Sequence, residues 1–234
     1  MNLRKPSGVT MIITVRAFIS TNKNVIEPLK DFFERFGLKM AAILLLIIAS
    51  YRLTDIVMGP MANPFYIDMG YTLSEIGYIV KVVALISTIV GVFVGGILIK
   101  KYGLYKSLLI GAFLVMITNL LFSYTAITDK NLTLLASIVA SDSLAAGIVG
   151  TVNITFLTSL VSQKYTGFQY ALLTSVMTFT GTIFKGFSGV IVESFQSLYG
   201  FNYGWMSFYI FTSCLALPAI LLIMSKKGFF VNSD

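Results

Sequence analysis

Residues 41–61 read AAILLLIIASYRLTDIVMGPM. Ten apolar or small residues run without a break, and then Arg52 and Asp55 enter a segment that otherwise has the texture of a bilayer span, for which about 20 apolar residues suffice. The same texture recurs over 39–66, 73–99, 105–127, 132–161, 166–191 and 204–225. Of the 234 residues, 56% are hydrophobic and 12% charged, against about 25% charged in soluble domains. The expectation is an all-α membrane protein with six transmembrane helices and the lipid bilayer as its first partner.

The chain has no histidine and a single cysteine, Cys214. That removes the commonest general base and metal ligand, together with every Ser-His or Cys-His nucleophile. No metal, cofactor or nucleic-acid motif is present, and catalysis is not expected. STNK (20–23) and GFSG (186–189) imitate serine-enzyme motifs, but the first lacks partners and the second has the wrong spacing. The net charge of +7 reports orientation, because short cytoplasmic loops collect Lys and Arg. Arg4, Lys5, Arg16, Lys23, Lys30, Arg35, Lys39, Lys100, Lys101, Lys106, Lys164, Lys226 and Lys227 fall on one side of the six-span layout. Lys130 falls on the other, beside Asp68, Glu75, Asp129 and Glu193. Both termini are expected in the cytoplasm of a multi-pass protein. Residues 1–38 read as a cytoplasmic amphipathic segment containing NVIEPLKDFFERFG (24–37) rather than a cleaved signal, since Arg16 interrupts the apolar region. Residues 39–225 form the membrane domain and 226–234 a cytoplasmic tail.

The charges inside the spans are the candidate site. Counted from Lys39 at ~1.5 Å per residue, Arg52 lies roughly 20 Å and Asp55 roughly 24 Å into a core about 30 Å thick. Lys81 and Asp142 lie deep in spans 2 and 4, and Lys185 in span 5; spans 3 and 6 carry no deep charge. Asp55 and Asp142 are the proton-coupling candidates. Arg52, Lys81 and Lys185 are candidates for substrate carboxylates, or for buried pairs in which Arg52 meets Asp55 and Lys81 meets Asp142. Asn153 and Gln169 join the candidates as polar companions, with Asn63, Thr151, Thr155 and Thr178 on the same spans. Ser87, Gly91 and Gly95 make a small-residue strip fit for helix packing, and Gly181 reads the same way.

The loop GGILIKKYGLYKSLL (95–109) resembles the cytoplasmic signature of the major facilitator superfamily through Gly96, Leu98, Lys101, Gly103 and Lys106. Lys100 stands where that family usually has aspartate. EPLKDFFERFGLKMAAILLLIIASYRLTD (27–55), GYTLSEIGYIVK (70–81), TIVGVFVGGILIKKYG (88–103) and FQYALLTSVMTFTGTIFKGFSGVIVE (168–193) together resemble the C-terminal half of AmpG-type muropeptide permeases, from about residue 25 onward. The resemblance implies one half, a 3+3 repeat, of a major facilitator fold in a bacterial inner membrane. It also implies proton-driven import of anhydro-muropeptides for cell-wall recycling, a small-molecule glycopeptide substrate, and a missing or separately encoded N-terminal half, with a second copy as the alternative. Carriage of another solute, a six-span homo-oligomeric channel and a non-functional remnant are the competing readings.

Overall fold

Helices begin and end where the backbone chemistry of the sequence demands it. A computed structural model describes the backbone of residues 8–231 and the side chains of 25–230; Arg4, Lys5 and the side chains of Arg16, Lys23 and the STNK motif lie outside the described residues. The first helix, α1 (Gly8–Tyr51), breaks at Gly37, whose φ of 70° belongs to a region that residues with a Cβ avoid. Arg52 interrupts the path again before α2 (Leu53–Asp68). A capping box, with Thr72 and Glu75 satisfying each other's backbone N–H, starts α3 (Leu73–Tyr78). A π-helical segment, Ile79–Val83, leads into α4 (Ala84–Thr125). Asn131 caps α5 (Leu132–Leu160) through the N–H groups of Thr133 and Leu134. Then follow α6 (Thr166–Gly186), α7 (Ser188–Tyr199), α8 (Phe201–Cys214), α9 (Leu217–Ser225) and α10 (Lys227–Val231).

Among the described residues, five continuous runs are long and apolar enough to cross a membrane: Val25–Asp68, Leu73–Thr125, Leu132–Leu160, Thr166–Tyr199 and Phe201–Ser225. The six expected stretches become five because the second and third join into one run of 53 residues. That run is interrupted at Gly103, with φ 76° and ψ 168°. Before Gly103, Gly91 lies against Leu144 and Gly147, and Gly95 against Ile148 and Thr151, so residue numbers rise together along α4 and α5. After it, Gly111 lies against Val149 and Thr118 against Asp142, so they run oppositely. The chain reverses direction at the glycine.

Contacts divide the helices into two ends. Arg35, Phe36, Tyr105, Leu160 and Phe230 gather at a basic end. Tyr71 meets Asn131, Glu75 meets Lys130, and Asp68 meets Trp205 at an acidic end. One apolar cluster fills the basic half around Leu44, Ile48, Leu108, Val149 and Phe156. Another fills the acidic half around Phe65, Phe122, Val139, Trp205 and Tyr209. Small residues allow this packing: a Cβ at Gly91 would collide with the Leu144 carbonyl and the Gly147 Cα, so the glycine strip draws α4 against α5. Asn119 adds a buried polar clasp, accepting a 2.8 Å hydrogen bond from the Thr212 hydroxyl across to α8.

Candidate functional site

Arg52, Asp55 and Asp142 lie at the seam between the two apolar clusters. Arg52 donates to Asp55 at 3.4 Å, long for a charge-assisted bond, which is usually about 2.7–2.9 Å. Asp142, from α5, accepts a 3.2 Å bond from Thr118 on α4. Asp55, Tyr66 and Tyr209 all lie within electrostatic reach of Asp142. Two carboxylates and one guanidinium therefore share the centre of the bundle. Each charge placed in hydrocarbon costs about 2.5–3.5 kcal/mol, so the cluster is a polar core that the surrounding apolar packing has to sustain. Arg52 Nε, Thr54 Oγ1, the Tyr209 hydroxyl and, farther from the cluster, Asn153 Oδ1 are buried without a hydrogen-bond partner among the described residues. A buried donor or acceptor left alone costs about 1–3 kcal/mol.

The breaks in the helices fall at the deep basic residues. Arg52 sits between α1 and α2, Lys81 lies inside the π-helical segment, and Lys185 occupies the last turn of α6. Interruptions of this kind leave backbone groups outside the regular ladder and recur at functional positions. Lys81 and Lys185 are exposed and neither has an ion-pair partner among the described residues. The structure forms the pair between Arg52 and Asp55 but not the one between Lys81 and Asp142.

Asn153 and Gln169 sit elsewhere. The Asn153 amide donates to the Met177 sulfur at 3.3 Å, deep between α5 and α6. Gln169 is 1% exposed and belongs to the basic end. Its Nε2 donates to the Pro28 carbonyl at 2.8 Å and to Asp31 at 2.9 Å. Its Oε1 accepts from Arg35 at 3.0 Å and from the Ser162 N–H at 2.6 Å. Arg35 also holds Asp31 at 2.9 Å and the Leu160 carbonyl at 3.0 Å. This clamp fastens the helix ahead of the first crossing to the loop between α5 and α6, and it leaves no polar atom of Gln169 uncommitted. In the signature loop, Lys101 lies 5.2 Å from the Tyr102 ring centre and Lys106 is exposed. A Cβ at Gly96 would meet open space, and Gly103 makes the turn.

Thr118, Tyr66, Tyr209 and the clasp of Asn119 with Thr212 are absent from the residues singled out by sequence. Asn119 carried a usable signal, as a lone amide in an apolar stretch; the tyrosines and threonines did not, because their types are common throughout the chain. Two concavities at the acidic end, of about 570 and 280 Å³, are lined by residues including Glu75, Tyr78 and Leu132, and Asp68, Glu193 and Trp205, respectively. Neither lining contains an intramembrane charge. The clustering of charges, rather than cavity shape, marks the candidate site.

No family model matches the chain. A Rickettsia conorii protein designated AmpG 4 is 34% identical over 213 residues, covering 91% of this chain and 48% of the relative. AmpG 1 of Rickettsia bellii is 29% identical over 206 residues, covering 88% and 47%. The anhydromuropeptide permease of Escherichia coli is 31% identical over 202 residues, covering 86% and 39%. The chain spans about half the length, or less, of these curated relatives.

Proposed function

This chain is homologous to about half the length of the AmpG-type permeases, and from that relation we propose that it forms the C-terminal half of a proton-driven importer of anhydro-muropeptides in the bacterial inner membrane. The reading takes the chain as six spans in two three-helix repeats of a major facilitator fold, with both termini in the cytoplasm. The opposed packing on either side of Gly103 supports the sixth span. The observation that carries the mechanism is the cluster in which Arg52 pairs with Asp55 while Asp142 lies within electrostatic reach of Asp55. With both carboxylates ionised the three groups have a net charge of −1, and a single proton neutralises them. Such a set suits coupling, because taking up or releasing one proton changes the cost of exposing the cluster to each side.

Asp142 carries the proton in this scheme and Thr118 orients its carboxyl. Arg52 pairs with Asp55, while Lys81 and Lys185 meet the acidic groups of the solute. Gln169 fastens the basic end around which this half rocks against a second six-span half. That second half is separately encoded or part of a longer whole, with a second copy of this chain as the alternative.

The test is uptake of labelled anhydro-muropeptide into vesicles under an imposed proton gradient, with this chain alone and with a candidate N-terminal half. Uptake is expected only in the second case. Asp142→Asn is expected to abolish uphill accumulation while solute exchange persists. Proton-driven uptake by the chain alone would overturn the half-carrier reading, and uphill accumulation by Asp142→Asn would remove Asp142 from the coupling role.

A further inference from the structure

A concavity at the basic end holds two like charges and no counter-ion. Gly37, with φ 70° and ψ 153°, turns α1 where the charged stretch EPLKDFFERFGLK (27–39) gives way to the apolar AAILLLII (41–48). Lys226, with φ −113° and ψ 24°, marks a second bend between α9 and α10. Across these bends lies a space of about 390 Å³, lined by Lys39 and Lys226 together with Phe36, Leu38, Met40 and Ile43. The rings of Phe36 and Phe229, 5.9 Å apart, hold the two bends together, and Phe230 fastens α10 further against Tyr105 and Phe156. Lys39 is exposed and Lys226 half-buried. Neither has an ion-pair partner among the described residues, and the lining contains no acidic side chain. The carboxylates just before Gly37 are committed elsewhere: Glu27 accepts from the Tyr165 hydroxyl at 3.2 Å, Asp31 from Arg35 and Gln169, and Glu34 pairs with Lys30 at 3.5 Å.

We infer that this concavity binds an anionic phospholipid, its phosphodiester between Lys39 and Lys226 and its acyl chains along Leu38 and Ile43. An anion placed there relieves the repulsion of two ammonium groups that share one space. The apolar part of the lining selects lipid over a free anion. Leu38 is 77% exposed, and Met40 and Ile43 carry the lining on into the first crossing, so a ligand meets both chemistries only with a charged head and an apolar tail. A zwitterionic headgroup brings its own ammonium towards the two lysines and fits less well. Basic residues at a membrane surface attract anionic lipid in general, but diffuse attraction needs neither a concavity nor fixed bends. It would be shared by Lys100 and Lys106, which are exposed on either side of the Gly103 turn. The site requires only that the chain crosses a membrane; it holds whether or not the chain is half of a carrier.

The test uses the full chain, delipidated in an uncharged detergent, with bound lipid counted by native mass spectrometry. Phosphatidylglycerol is expected to be retained at least about fivefold more tightly than phosphatidylethanolamine of the same acyl chains, the effect of one basic residue at an anionic surface. That comparison is made on the unaltered chain and needs no variant to fold. Lys39→Gln and Lys226→Gln are each expected to weaken the retention of phosphatidylglycerol about fivefold, while Lys39→Arg and Lys226→Arg keep it. Lys100→Gln combined with Lys106→Gln is expected to change it less than about twofold, as for exposed charges in water. Inorganic phosphate and glycerol 3-phosphate are expected not to displace the lipid. Displacement by either would make this a free-anion site and overturn the lipid assignment. Equal retention of the two lipids, or equal losses from the two sets of lysine changes, would reduce the binding to diffuse surface charge and overturn the site.

Discussion

Replacing Gln169 with methionine keeps the volume of the side chain but removes all four hydrogen bonds that it makes at the basic end. Two partners are backbone groups. Pro28 is buried and Ser162 half-buried, so the carbonyl is stranded in full and the N–H in part. The other two, Asp31 and Arg35, keep each other at 2.9 Å, and Arg35 keeps the Leu160 carbonyl, which limits their loss. With about 1–3 kcal/mol for each stranded buried group, the total comes to about 3–4 kcal/mol. For a fold of this size, at about 2–4 °C per kcal/mol, thermal unfolding in mild detergent should begin about 6–16 °C lower. A shift below about 2 °C would refute the clamp.

The pH dependence gives a second reading of the same network. The Gln169 hydrogen bond holds the Asp31 carboxyl below its usual range; partial burial opposes this, and Arg35 reinforces it through a hydrogen bond and its charge. A carboxyl lowered by folding contributes stability above its unfolded value, about 3.9, and loses it as pH falls through the lower folded value. The wild-type unfolding temperature should therefore drop below about pH 4, and Gln169→Met should flatten part of that drop. Equal slopes would detach Asp31 from Gln169.

Two further changes test the packing. Gly91→Val should destabilise the bundle by about 1–3 kcal/mol through overpacking against Leu144 and Gly147, while Gly96→Ala, with open space at its Cβ, should be neutral or gain about 0.5–1 kcal/mol; equal unfolding temperatures for the two variants would contradict the α4–α5 contact. A double-mutant cycle of Asn119→Leu and Thr212→Val should return a coupling of about 0.6–1.7 kcal/mol for their buried bond, and strict additivity would show that the clasp contributes nothing.

Apolar periods of bilayer length and the basic bias of alternate loops were legible from the sequence, because insertion into lipid is decided span by span by local composition. So was the small-residue strip at Gly91 and Gly95, since residue size alone limits how closely two helices approach. Tertiary structure decided which charges meet. Arg52 and Asp55 are three residues apart, so a helix pairs them regardless of fold, and that pair was expected. Lys81 and Asp142 lie on different helices, where rotation and depth set by packing bring Thr118, and not the lysine, to the aspartate. Gln169 looked like a member of the intramembrane set by type and span, yet its position at the first turns of α6 places it in the clamp with Pro28, Asp31, Arg35 and Ser162. A glutamine satisfies whichever donors and acceptors its fold brings within about 3 Å, and its own sequence neighbours do not say which those are.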